Sequence, residues 1–185
     1  MLRGVVEVGP IVEALVREHH PDVAPSAACF FRSVYGATVL QRQFKTRVLL
    51  QAGSAQWPRV TPAQDDGVCM THFGYVWSPG EPPSVDALRA GTLPEMHVWL
   101  AEPQTQTLID FSAGDFPAQA KALCGYDWPG RKPPRVFCGK RPPCGVVYEP
   151  HIQAIKFALA LVPFAIPGGD RILNELINGV GGCAA

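Results

Sequence analysis

Hydrophobic residues in the first part of the chain recur every three to four positions, which is the period of a helix buried on one side. Residues 11–20 predict an amphipathic helix with Pro10 in its first turn, where proline is tolerated. Residues 27–43 predict a second, mostly buried helix in which Gly36 permits close packing. Ser26 precedes this helix and is a suitable N-cap, because its hydroxyl can accept a hydrogen bond from an unpaired backbone N–H.

The centre of the chain changes to the alternating, β-rich pattern of strands. The predicted strands are 47–53, ending at Gly53, then 67–77, 96–101, 107–111 and 136–138. Residues 102–106 form a hairpin-like connection, which pairs the third strand with the fourth.

Helical patterns return at residues 116–124, 149–162 and 170–178. Asp170 is the expected N-cap of the last helix and Gly179 its C-cap. Helices followed by strands and again by helices are typical of an α+β domain. A length of 185 residues fits one domain over 1–185, which we divide into a core at 21–117 and a loop-rich, helical extension at 118–185.

Composition supports a compact protein and excludes some partners. Hydrophobic residues make up 47% of the chain and charged residues 17%, so the chain has enough apolar material for a core. Sixteen basic residues balance sixteen acidic ones, which argues against a nucleic-acid partner because phosphate binding normally requires a basic excess. The 19 prolines and 18 glycines predict many turns and long ordered loops.

The sequence also suggests a compartment. Glu7 and Pro10 interrupt any apolar run of a signal peptide, and the most apolar stretch, 152–166, is shorter than the about 20 residues of a membrane span. We therefore expect a cytoplasmic protein with no membrane partner, in which the six cysteines remain thiols. Five of these cysteines are most simply small buried or loop residues.

The sixth cysteine, Cys29, has a different context. It falls in the first turn of the predicted second helix, where backbone N–H groups are unpaired and the helix dipole favours negative charge. Such a position stabilises the thiolate form of a cysteine, which is the nucleophilic form. The pattern therefore predicts a reactive Cys29.

A thiol nucleophile needs a base, and His97 is the best candidate. It lies in a β-rich run whose alternation puts His97 and Trp99 on one face, while the aliphatic residues take the other face. Asp110 ends the next run, so pairing of the two strands would bring its carboxylate to His97. A carboxylate in that place would orient the imidazole and stabilise its protonated form.

These segments together resemble a known superfamily. Ala28-Cys29-Phe30-Phe31, Gln51-Ala52-Gly53, His97-Val98-Trp99-Leu100 and Leu108-Ile109-Asp110-Phe111 are similar to the papain-like and transglutaminase-like cysteine enzymes, most closely to an uncharacterised bacterial domain family among them. The similarity covers about residues 27–117. It implies an α+β fold in which the Cys29 helix packs on an antiparallel sheet, with extra C-terminal helices, and a Cys29-His97-Asp110 triad.

The sequence departs from papain at the oxyanion hole, because residues 21–28 contain no Gln or Asn ahead of the cysteine. The backbone N–H of Cys29 would have to act with a second donor, for which Gln51 is a candidate. Trp99 would form a wall beside His97. The motifs of the arylamine N-acetyltransferases around their cysteine are not found either.

The expected function is acyl transfer to water or to an amine from a small-molecule or peptide acyl substrate such as an amide or thioester, with no cofactor. Two alternatives stay open: a binding module of the same fold without turnover, and a structural part of an assembly with an apolar patch on residues 151–178. The oligomeric state is also open. A zinc site at Cys138, Cys144 and His151 is disfavoured, since no close cysteine pair is present.

Overall fold

The computed structural model describes residues 2–23, 27–65, 68–75, 77, 96–125, 127–128, 132–142 and 145–178. These residues form five α-helices and six strands in an α+β arrangement, as expected. The helices are α1 (Leu2–His19), α2 (Ala28–Phe44), α3 (Phe116–Cys124), α4 (Ile152–Ala165) and α5 (Gly169–Asn178). The strands are β1 (Leu49–Asp65), β2 (Val68–Tyr75), β3 (His97–Glu102), β4 (Thr107–Asp110), β5 (Phe137–Gly139) and β6 (Val147–Pro150), and a 3-10 helix, Ala113–Asp115, precedes α3.

The start of the first helix was predicted wrongly. α1 begins at Leu2, so Pro10 lies inside the helix and not in its first turn. Proline inside a helix costs about 3 kcal/mol because it removes a hydrogen bond and crowds the preceding turn. The buried stripe of α1 offsets this cost, and it consists of Val5, Val8, Val12 and Val16.

The segment before α4 also differs from the prediction. Residues 147–150 form the strand β6, and the helix predicted from residue 149 begins only at Ile152. Pro150 explains the difference, because a proline holds the residue before it in an extended conformation. The expected C-cap, Gly179, lies outside the described residues.

The strands form one sheet in which every pair is antiparallel. Hydrogen-bonded neighbours follow the order β2-β1-β3-β4-β5, and β6 also pairs with β1. Ala55 of β1 is opposite Tyr75 and Tyr148, while Gly53 is opposite His97 and Pro150. Because a strand has only two edges, β2 and β3 must lie end to end along one edge of β1, and β6 lies along the other.

Both faces of the sheet are covered. On one face, Leu50, Val98 and Leu100 pack against α1, α2 and the C-terminal helices in a large aliphatic core. The opposite face carries a second, aromatic core, which includes Trp57, Tyr75, Phe116, Phe137 and Tyr148. The predicted alternation of faces is therefore confirmed. His97 and Trp99 nevertheless point into a buried layer, because the rings of Phe116 in α3 and Tyr148 in β6 pack over the face that they share.

Gly53 was predicted to end a strand, but β1 continues through it to Asp65. A Cβ atom at this position would lie 2.1 Å from the Glu149 carbonyl oxygen and 2.9 Å from the His151 nitrogen. Both atoms belong to backbone that is held against β1, because the His151 N–H donates to the Ala52 carbonyl at 2.9 Å. Glycine at position 53 is thus what allows β6 to dock at the point where β3 begins.

We predict that Gly53→Ala lowers the free energy of unfolding by about 1–3 kcal/mol, because the methyl group displaces backbone that cannot yield cheaply. Urea unfolding at pH 7 measures the change. Gly4→Ala is the matched control, since its Cβ would meet only the ring of the partly exposed Phe44, at 3.0 Å. Equal stability of the two variants would contradict the role assigned to Gly53.

Candidate functional site

Cys29 is the second residue of α2 and is 2% exposed. Ala27 occupies the N-cap position and makes no side-chain capping bond, and Ser26 lies outside the described residues. The helix runs along β3, where the Ser33 hydroxyl donates to the Val98 carbonyl at 2.9 Å. One turn earlier, the Cys29 Sγ lies 4.0 Å from the Met96 carbonyl oxygen, so the thiol is held at the start of β3.

The close packing predicted at Gly36 is present and concerns the same helix. A Cβ atom at position 36 would lie 2.2 Å from the ring of Phe111, the residue that follows Asp110. The missing side chain therefore lets α2 approach the end of β4.

His97 and Asp110 form a buried pair, with both side chains 0% exposed. His97 Nε2 donates to Asp110 Oδ2 at 2.8 Å. The strands β3 and β4 pair as predicted, with Leu100 opposite Ile109, and the continuation of this register places Asp110 opposite Trp99. His97 is therefore the diagonal neighbour of Asp110, a separation that a ring and a carboxylate can bridge.

Two further groups donate to the Asp110 carboxylate. The Tyr148 hydroxyl donates to Oδ2 at 2.7 Å, and the backbone N–H of Ser112 donates to Oδ1 at 2.7 Å. Burial acts to raise the pKa of Asp110, but the charge of His97 and these hydrogen bonds bring the pKa below its ordinary value. Asp110 is therefore an anion at neutral pH although it is inaccessible to water.

The carboxylate and Cys29 together set the charge of His97. Burial acts to lower the pKa of His97, but the charge and hydrogen bond of Asp110, followed by those of Cys29, raise it to about 10. Since Nε2 is bound to Asp110, the ring nitrogen that can interact with Cys29 is Nδ1. Among the described residues, Nδ1 has no hydrogen-bond partner. The ring is therefore hydrogen-bonded to the carboxylate at Nε2, and the Cys29 thiol lies beside Met96, the residue that precedes His97.

Aromatic rings surround His97 and exclude water from it. The ring centroids of Tyr75, Phe116, Tyr148 and Trp99 lie 5.1, 5.2, 5.8 and 6.0 Å from that of His97. Electrostatic interactions are strengthened in such an environment, because the effective dielectric constant is far below that of water. Trp99 does stand beside His97, as expected, although it is a buried core residue as well.

The Gln51 side chain is on the same face of the sheet as His97, but Gln51 comes two positions before the β1 residue that is opposite His97. It lies opposite Trp99, whereas Gly53 is opposite His97. Cys29 lies on the N-terminal side of His97, next to Met96. The register therefore brings Trp99 and Gln51 together and places Tyr75, not Gln51, on the Cys29 side of His97.

Sequence reasoning missed Tyr148, Ser112, Tyr75 and Gln119. The Asp110-x-Ser112 spacing is typical of an Asx turn, in which an Asp side chain accepts from the backbone N–H two residues on, and it could have revealed Ser112. Pro150 could have revealed the extended segment that carries Tyr148. Tyr75 and Gln119 meet only through the tertiary fold.

Comparison with known proteins identifies a similar fold. One solved crystal structure, described as that of "genomics APC5867", matches with a TM-score of 0.53 at 15% identity, over 98% of this chain and 80% of that one. No protein-family model matches the chain. No curated protein matches it either.

Neither a metal site nor a membrane span is found in the described part of the chain. Among the described residues, no group of three or more His, Cys, Asp or Glu side chains is arranged to hold a metal ion, and Cys144 lies outside them. None of the helices in this part of the chain combines the length and apolar character needed to cross a bilayer. Cys29 and Cys138 are not in disulfides.

We predict that Tyr148→Phe lowers the free energy of unfolding by about 1.5–3 kcal/mol, the range for a hydrogen bond to a charged group. The Asp110 carboxylate keeps its charge in the buried site but loses one of its three donors. Urea unfolding at pH 7 measures the loss. Tyr35→Phe is the control, because the Tyr35 hydroxyl bonds the partly buried His20 at 3.0 Å, away from the carboxylate. A loss no greater than in the control would contradict this role.

The raised pKa of His97 predicts a pH dependence of stability. The His97 contribution is fully present below its ordinary value of 6.5 and is lost as the pH rises through about 10. Asp110 also contributes stability, but with the opposite pH dependence. Its pKa is lowered below 3.8, so its contribution is lost only as the pH falls into the acid range. The Tm measured by thermal unfolding should fall as the pH rises from 6.5 to about 10. His97→Gln should make this fall smaller. Parallel curves for the two proteins would contradict the assignment.

Proposed function

We propose that the protein is a cysteine-dependent acyl-transfer enzyme, acting on an amide or thioester, with Cys29 as nucleophile, His97 as base and Asp110 as the residue that orients His97. The observation that carries the proposal is the buried His97–Asp110 hydrogen bond, together with a thiol that lies at the start of the strand carrying His97. A nucleophile, its base and an orienting group within reach of one another are the requirement for an activated cysteine.

The chemistry follows from the two ring nitrogens of His97. Because the pKa of His97 is raised to about 10, the resting site is an ion pair at neutral pH: Nδ1 already holds the proton that Cys29 gives up, and Asp110 stabilises the imidazolium at Nε2. The thiolate attacks the acyl carbon, a tetrahedral oxyanion forms, and Nδ1 returns the proton to the leaving amine or thiol as the carbon–leaving-group bond breaks. Water or an amine, deprotonated by His97, then attacks the thioester and releases Cys29.

The architecture is compatible with the papain-like and transglutaminase-like superfamily. A helix carries the cysteine in its first turn, and neighbouring antiparallel strands carry the histidine and the aspartate. The helix and the strands that carry these residues also form the layers that bury the site. This arrangement supports the interpretation that the three residues act as a triad, and not as separate core residues. At 15% identity, the similar solved structure supports only the fold in this comparison.

Burial restricts the substrate. A thiol that is 2% exposed is accessible only to a narrow acyl group, and the walls around His97 are aromatic. A small, neutral acyl group fits this environment better than a charged one, because charge would have to be desolvated.

The experiment is a competition between cysteines of one chain. Limiting iodoacetamide at pH 6–7 should alkylate Cys29 at least about 10-fold faster than the half-buried Cys138, because the thiolate is the reactive form. Peptide mass mapping resolves the individual cysteines. Asp110→Asn should remove most of the preference, and His97→Ala should abolish it.

Acyl transfer itself is tested with p-nitrophenyl acetate, followed by mass spectrometry of the wild-type protein and Cys29→Ala. An acetyl group on Cys29 in the wild type only is the expected result. Equal alkylation of Cys29 and Cys138, unaffected by His97→Ala, would overturn the proposal. Rapid alkylation without acetylation would favour a binding module that retains an activated thiol.

A further inference from the structure

Tyr75 and Gln119 form a buried polar pair next to the proposed triad. The Tyr75 hydroxyl donates to Gln119 Oε1, and both residues are 7% exposed. Tyr75 ends β2 and Gln119 is in α3, the helix that closes the aromatic face of the sheet. Burying two polar side chains is unfavourable unless their hydrogen bonds are satisfied, so this pair holds the hydroxyl in a defined place.

The sheet places Tyr75 directly beside His97. Tyr75 is opposite Ala55 and His97 is opposite Gly53, so the two side chains leave the same face two positions apart along one edge of β1. Their ring centroids are 5.1 Å apart. Trp99, the next residue along this line, lies on the far side of His97 from Tyr75.

The register places Tyr75 on the Cys29 side of His97, and the electrostatics of its hydroxyl agree. Burial raises the pKa of Tyr75 well above its ordinary value, and the charge of Cys29 raises it further, more than that of Asp110 does. The Cys29 Sγ lies 4.0 Å from the carbonyl oxygen of Met96, the residue before His97, and Tyr75 is on that same side of His97. The phenol also remains a neutral donor at every pH at which the triad would work.

We propose that Tyr75 is an oxyanion donor of the Cys29 site and that Gln119 is the residue that positions it. This proposal rests on the proposed acyl transfer and supplies the donor that the sequence lacks before Cys29. When the thiolate adds to the carbonyl, the hydroxyl hydrogen turns from Gln119 Oε1 to the new oxyanion, which is the stronger acceptor because it carries full charge. Rotation about the C–O bond redirects this hydrogen without moving the ring.

Two reactions of the same thiol separate this role from others. Iodoacetamide is attacked at a saturated carbon, where the S–C bond forms as the C–I bond breaks, and no oxyanion appears. p-Nitrophenyl acetate is attacked at a carbonyl, where an oxyanion forms before p-nitrophenolate leaves. An oxyanion donor therefore affects the second reaction alone, whereas a residue that supports the thiol or the fold affects both.

The experiment measures both rates at Cys29 in the wild type, Tyr75→Phe, Gln119→Leu and the control Tyr35→Phe. Tyr75→Phe should slow acetylation by about 100-fold, the usual cost of one oxyanion donor, and leave alkylation unchanged. Gln119→Leu should slow acetylation less, since the hydroxyl remains but is no longer held. The unchanged alkylation rate also shows that the variant keeps an intact site.

Three results would count against the inference. Equal slowing of alkylation and acetylation in Tyr75→Phe would make Tyr75 a support of the thiol, and an unchanged acetylation rate would exclude it as a donor. Both outcomes leave the proposed acyl transfer in place. A wild-type protein that is never acetylated at Cys29 would instead overturn the acyl transfer, and the role of Tyr75 with it.

Discussion

The buried charge of Asp110 is the constraint on which the rest of the site depends. A carboxylate without contact with water is tolerated only when donors surround it, because the loss of hydration costs several kcal/mol even after relaxation of the protein. Asp110 has three donors from three separate places in the chain: β3, the turn after β4, and β6. The charge is therefore satisfied only when β3 and β6 are paired with β1 and β4 is paired with β3.

This requirement explains several features that would otherwise be unrelated. Glycine at position 53 admits β6, which carries Tyr148, and glycine at position 36 brings α2 to the end of β4. The aromatic layer keeps water from the His97–Asp110 pair and so preserves the strength of their interaction. Burial of the aromatic layer also makes the pair dependent on α3, because Phe116 lies against His97.

The parts of the site that follow local patterns could be predicted from the sequence. The helix around Cys29, the two faces of β3 and the hairpin that joins His97 to Asp110 depend on residues within a few positions of each other, and the structure agrees. The α+β class was predicted on the same basis. Pro10 shows where local reasoning fails, because tertiary burial of α1 outweighed the cost of a proline inside the helix.

The missing parts depend on contacts that no local pattern encodes. Tyr148 and Asp110 are 38 positions apart, and Tyr75 and Gln119 are 44 apart. The alternation of β3 indicated which side chains share a face, but not that the rings of Phe116 and Tyr148 would cover it. Gly53 misled for the same reason, since a glycine that accommodates a neighbouring strand and a glycine that ends a strand look alike in sequence.

The two partners of Gly53 also have a consequence for folding. β3 pairs with the glycine from one edge and β6 from the other, and these strands lie about 50 residues apart in the chain. Such long-range pairings are slow to form, and Tyr148 reaches the carboxylate only through the docking of β6 on β1. The fully supported charge network around the thiol is consequently a property of the completed fold, and an incompletely folded chain carries Cys29 without it.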